Sequence, residues 1–149
     1  MLATPHLLSG AAIVTIVPNP VVSLPLAFAS HFILDKIPHW QETLAPYELN
    51  NKTWVRMPID LLLGLGLLWW VTKTVGGNGI MWLGALVALV PDADSVFYAR
   101  PLREVLQQPL ARSWFSFHER IQRETDKWWG LLPQIAVVLL SLFFILNYA

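Results

Sequence analysis

Cysteine is absent from the 149 residues. That excludes disulfide staples and thiolate metal sites, so any metal must be held by histidine, carboxylate, and backbone or amide oxygen. Charge is scarce, at 13% of the chain, and ten basic residues balance ten acidic ones. No overall basic surface exists to recruit nucleic acid, and none is expected as a partner. The 1–6 stretch lacks the positive start of a cleavable signal peptide, so the whole chain is expected to be retained. No His-Glu-x-x-His motif occurs, and no serine lies on a Gly-Ser motif near a histidine, which argues against intramembrane proteolysis. The Lys, Arg-Pro and Ser-x-x-His signatures of one lipid phosphatase class fail too, since Arg100-Pro101 stands alone.

Apolar residues fill the space that charge leaves. They make up 55% of the chain, with eight tryptophans and a mean hydropathy of +0.50. This is too apolar for an ordinary soluble domain and suits the aromatic belts of a bilayer protein. One domain over 1–149 is expected. Apolar runs at 7–17 and 21–37, separated by Pro18-Asn19-Pro20, read as a helical hairpin over 5–38. Further helices are expected at 58–75, with Pro58 in the first turn, and at 79–92 and 130–148. The 100–128 segment is mixed, basic and aromatic. Trp114, Phe117, His118, Ile121 and Thr125 share one helical face there, the pattern of an amphipathic helix lying in a membrane surface or of a solvent-exposed helix packed on a domain. The expected fold is all-α: a polytopic membrane bundle of about four to five membrane helices plus an interfacial amphipathic helix.

Topology follows from the basic residues. If the hairpin enters and leaves on one side, Lys36, Lys52, Arg56, Arg100, Arg103, Arg112, Arg120, Arg123 and Lys127 share that side and Lys73 alone lies opposite. The large loops are therefore expected in the cytoplasm, with the protein multi-pass in the inner membrane. All four histidines map to the same side, as do Asp35, Asp60, Asp92 and Asp94.

Among these, the 31–40 decapeptide carries the most chemistry. His31, Asp35 and His39 are four apart, so on a helix they drift by only about 40° per step and line one stripe. Imidazoles and a carboxylate on one face are what a zinc-type ion requires. Polar groups at the end of an apolar helix are costly and usually functional. Plainer readings stand beside this one. His6 could bond to headgroups or carbonyls, and His31 with Asp35 could be a helix-packing pair. His39 follows Pro38 and has no readable aim. Asp60 could pair with Arg56 one turn earlier, and Asp94 could form a turn. Asp92, an acid at a helix C-terminus, opposes the macrodipole and needs a cationic partner.

The segments Thr4-Pro-His-Leu-Leu-Ser-Gly10, Leu26-Ala-Phe-Ala-Ser-His-Phe-Ile-Leu-Asp-Lys-Ile-Pro-His39, Leu83-Gly-Ala-Leu-Val-Ala-Leu-Val-Pro-Asp92 and Phe117-His-Glu-Arg-Ile-Gln122 resemble a family of small bacterial membrane proteins. That family is in turn similar to membrane-bound metal-dependent hydrolases, with a Ser-His-x-x-x-Asp helix and a Leu-x-Pro-Asp helix end. The His31–His39 stretch alone also resembles the zinc helix of phospholipase C and single-strand nuclease enzymes, which hold three zinc ions. In those enzymes the spacing from Asp to the last His is longer, and their N-terminal amino and tryptophan ligands have no evident counterpart here.

Together these signals raise the expectation of a membrane-embedded metal-dependent hydrolase acting on a phosphoester or related ester of a lipid-like substrate at the cytoplasmic interface. Its cofactor would be zinc, as one ion or as two or three divalent ions bridged by Asp35. The first-choice ligands are His31, Asp35, Asp92 and His118, with His6, His39 and Asp60 next. Asp94 is the candidate general base, and Arg100, Arg103 and Arg112 suit a lipid phosphate. The alternative is a non-enzymatic metal-binding or structural membrane protein, or a small transport subunit.

Overall fold

The computed structural model describes residues 1–41, 51–93 and 108–149. Six helices account for most of them: α1 (Ala3–Ile16), α2 (Pro20–Asp35), α3 (Asn51–Val75), α4 (Gly79–Leu89), α5 (Pro109–Ile121) and α6 (Lys127–Tyr148). The described residues contain no strand, only an isolated parallel bridge between His39 and Glu124.

α1 begins before the apolar run because its first turn is capped from another helix. Asp60 on α3 accepts from the backbone of Ala3 (2.6 Å) and Thr4 (3.3 Å), and from the Thr4 hydroxyl (2.7 Å). Pro5 sits in that turn, where no donor is needed. A carboxylate at a helix N-terminus also meets the positive end of the dipole, and such a cap is worth about 1 kcal/mol. Asn19 caps α2 by accepting from Val21 N at 3.0 Å, and Pro38 stops the helix from running on. Pro58 lies inside α3 rather than in its first turn. The 51–57 segment contains no breaker, so the helix extends back across the proline at the loss of one backbone hydrogen bond. Gly76 ends α3 in the left-handed region (φ 67°), and Gly77 N donates to Thr72 O at 2.8 Å. This closing geometry favours glycine. Asn78 then caps α4 through Ile80 N at 3.1 Å.

α1 is the central helix: ten of its fourteen residues are buried, and it packs against α2, α3, α4 and α6. Leu7, Leu8, Ala11, Ala12 and Val14 meet Leu68 and Val71 of α3, Met81 and Ala85 of α4, and Ile145 of α6. Against α4 the approach is backbone to backbone. A Cβ built on Gly84 would lie 2.5 Å from Val14 Cγ1 and 2.7 Å from Gly10 O. The outer surface is apolar as well, with Val21, Ile33, Leu62 and Leu139 each more than half exposed.

Two helices, Val55–Val75 and Lys127–Tyr148, are long and apolar enough to cross a membrane. α1, α2 and α4 are shorter, about 21, 24 and 16 Å at 1.5 Å per residue, against a hydrocarbon core of about 30 Å. One end of the bundle gathers the start of α1, the ends of α2, α4 and α5, and the start of α6. The α5–α6 link is bound to the end of α2 by backbone: Arg123 N donates to Asp35 O (3.1 Å), His39 N to Arg123 O (3.0 Å) and Thr125 N to His39 O (2.9 Å).

Candidate metal centre

Asp35, the last residue of α2, is fully buried, and both of its carboxylate oxygens are approached by nitrogen. His31 Nε2 lies 3.1 Å from Oδ2 and His118 Nε2 3.2 Å from the same atom. The two imidazole nitrogens are 3.0 Å from each other. His31 reaches this point by helical spacing on α2, whereas α5 delivers His118 from the far part of the chain. The aromatic contacts of Phe32 with Trp114 (5.9 Å) and Phe117 (5.7 Å) hold α5 against α2.

Tautomer chemistry makes this triangle informative. His31 Nδ1 is 2.8 Å from Ala88 O, and a carbonyl only accepts, so Nδ1 carries the proton. In the neutral ring Nε2 then presents a lone pair to a carboxylate oxygen and to a second imidazole nitrogen. Electron pairs meeting at 3.0–3.2 Å need positive charge between them, and a proton can serve only one edge of the triangle at a time. The edges are close to the roughly 3.3 Å separation of ligand atoms around a tetrahedral ion with bonds of about 2.0–2.1 Å. A backbone carbonyl fixing the distal ring nitrogen is also the usual outer partner of a metal-bound histidine.

Asp92, just beyond α4, adds the loosest corner. Its Oδ1 is 3.6 Å from His31 Nε2 and 4.0 Å from His118 Nε2, and its side chain is 24% exposed whereas His31 and Asp35 are wholly buried. Among the groups at Asp35 Oδ2, it is the most exposed. On the other oxygen, His6 Nε2 of α1 stands 3.2 Å from Asp35 Oδ1, and the His6 ring stacks on His31 at 3.9 Å and 19°. The Met1 ammonium donates to the same Oδ1 at 2.5 Å and to Gln41 Oε1 at 3.1 Å. Two sets of ligand atoms thus come close enough to hold a metal ion: His6, His31 and Asp35, and His31, Asp92 and His118.

The other expected residues fall around this core. His39 is buried beside it, with Nδ1 2.8 Å from Ile37 O and Nε2 3.3 Å from Gln41 Oε1. Burial holds its imidazole below the ordinary value, and the Met1 ammonium acts in the same direction. Asp60 belongs to neither metal set, because its oxygens are engaged by the first turn of α1. Arg112 is exposed on α5. Asp94, Arg100 and Arg103 lie outside the described residues.

Three supporting residues carry no periodicity signal. Gln134, buried in α6, donates to Trp40 O (2.8 Å) and Gly130 O (2.9 Å) and accepts from Leu2 N (2.9 Å), tying the start of the chain to the 39–41 segment. Gln41 donates to Gln122 Oε1 (2.5 Å) and Glu124 Oε1 (3.0 Å). Gly130 lets α6 pass close to His39 and Trp40, since a Cβ there would lie 2.6 Å from His39 C. Of the three, only Gln134 offers a sequence signal that could have found it, a lone amide within an apolar helix.

Fold and site define an all-helical protein with two helices able by length and composition to cross a membrane, and with buried histidine and aspartate groups that could hold a metal ion. No protein-family model, curated protein or solved structure matches the chain.

Proposed function

We propose that the protein is a multi-pass membrane hydrolase that depends on zinc and cleaves a phosphoester or related ester of a lipid-like substrate at the cytoplasmic interface. The observation that carries this reading is the triangle of His31 Nε2, His118 Nε2 and Asp35 Oδ2, with the partly exposed Asp92 beside it. A structural zinc site is closed by four protein ligands, whereas a catalytic one keeps a position for water. When bound, the ion supplies Lewis-acid polarisation of a phosphoryl oxygen and a more acidic water.

The chain's own groups divide the remaining work. His31, His118 and Asp35 would hold the ion, and the Ala88 carbonyl keeps His31 in the donating tautomer. Asp92, the more exposed carboxylate, would hold a water and accept its proton. Phe32, Trp114 and Phe117 form an aromatic wall beside His118, and Phe117 is half exposed, which suits the apolar part of an amphiphile. Arg112, with Arg100 and Arg103, would attract its phosphate.

In mixed micelles of anionic phospholipid or prenyl phosphate, the purified protein is expected to show slow hydrolysis that chelator abolishes and zinc restores. Asp92→Asn should lower the rate by about 10²-fold or more, the usual worth of a positioned acid or base, while retaining most of the metal. A broad phosphoester and lipid-ester panel without metal-dependent turnover would sink the enzymatic reading. The second reading, a metal-holding structural protein, draws on the complete burial of His6, His31, His39 and Asp35; metal without turnover is its signature.

Sidedness has its own test. Cysteine placed at Glu119, exposed on α5, should resist an impermeant thiol reagent added to intact cells, whereas one at Lys73, in the last turn of α3, should react. The reverse pattern would overturn the cytoplasmic placement.

A further inference from the structure

We propose that Asp35 serves two divalent cations, one at each oxygen: the ion held by His31 and His118 on Oδ2, and a second held on Oδ1 by His6. This rests on reading the Oδ2 side as a metal site. It goes further in assigning a separate position to a helix that contributes nothing to that side.

His6 is the observation that points there. It is wholly buried on the central helix, and neither of its ring nitrogens has a hydrogen-bond partner among the described residues. A buried imidazole without partners costs free energy, and an apolar side chain of similar size would avoid that cost. Yet its Nε2 is held 3.2 Å from Asp35 Oδ1, without the angle of a hydrogen bond. That separation matches the one between His31 Nε2 and Oδ2, 3.1 Å. Because the two rings stack nearly parallel at 3.9 Å, each addresses a different oxygen of one carboxylate. A carboxylate with nitrogen donors at both oxygens is the arrangement that spans a pair of ions, which in two-metal sites lie about 3.5–4 Å apart. Gln41 Oε1 stands nearby, 3.1 Å from the Met1 nitrogen, as an oxygen donor suited to a hard cation. The competing occupant of Oδ1 is the Met1 ammonium, 2.5 Å away.

Manganese is the probe. The full chain, solubilised in detergent and stripped by chelator, is titrated with Mn²⁺ and measured for bound metal and by electron paramagnetic resonance. The expected result is two ions per chain with an exchange-coupled spectrum. In His6→Gln the spectrum should become that of one isolated ion, with stoichiometry reduced from two to one. His118→Gln should weaken the other ion instead. The wild-type spectrum alone tests the pairing if a variant fails to fold. One uncoupled ion in the wild type assigns Oδ1 to the Met1 ammonium and overturns the proposal while leaving the hydrolase reading intact. Two ions unaffected by His6→Gln overturn it as well. No bound ion defeats both readings.

Discussion

Asp35→Asn protein, purified in detergent without chelator, is expected to carry less than about a tenth of the wild-type metal. Changes in the outer shell of a metal site typically weaken binding about 10–100-fold, and Asp35 is itself the shared centre, approached by His6, His31 and His118 at 3.1–3.2 Å. Asparagine keeps the shape and removes the charge, so the loss should be one of affinity rather than of packing. Asp126→Asn is the matched control. Asp126 is exposed at the start of α6 and its side chain makes no capping hydrogen bond, so metal content should stay at the wild-type level. Equal metal in both variants, measured by elemental analysis, would remove Asp35 from the centre.

Gly84→Val is expected to cause the largest loss of stability. Its new Cβ would lie 2.5 Å from Val14 Cγ1 and 2.7 Å from Gly10 O. The obstacle is partly backbone, so no rotamer change relieves it, and α1 and α4 must separate. Overpacking a core usually costs about 1–3 kcal/mol, and a clash of two helix backbones belongs at or above the top of that range. Metal should fall too, since α4 positions both the Ala88 carbonyl that fixes His31 and Asp92 beyond it. Gly66→Ala, on an open face of α3 where a Cβ meets nothing within 4 Å, should unfold in detergent at or slightly above the wild-type temperature. A Gly84→Val midpoint equal to that of the wild type would mean that the helices do not meet as described.

What periodicity carries was legible in the sequence, and what lateral packing decides was not. Four-residue spacing placed His31 with Asp35, and hydropathy marked the helices of the bundle. His39 could not be aimed, because Pro38 takes the chain out of the helix and the bridge to Glu124 then sets its direction. Asp60 has Arg56 one turn away, and that local pairing says nothing of a helix end arriving from elsewhere in the chain; the cap on Ala3 and Thr4 spans more than fifty residues of sequence. Pro58 suggested a helix start, but a proline marks a missing donor and not a boundary once neighbouring residues sustain the helix. Gln41 and Gly130 are ordinary loop and helix residues until α6 is laid against the 39–40 segment.

The backbone bridge between the 35–39 and 123–125 segments bears on the order of biosynthesis. Asp35 and His118 are separated by 83 residues, so the ligand sphere cannot be complete when the hairpin of α1 and α2 first forms. The early hairpin would hold its imidazoles and carboxylate as an unfinished half-site, with α5 supplying the missing donor much later. Closing so long a loop carries an entropic cost that grows only slowly with its length. An ion captured after α5 docks would act as a cross-link, making release of the metal and undocking of that helix a single event.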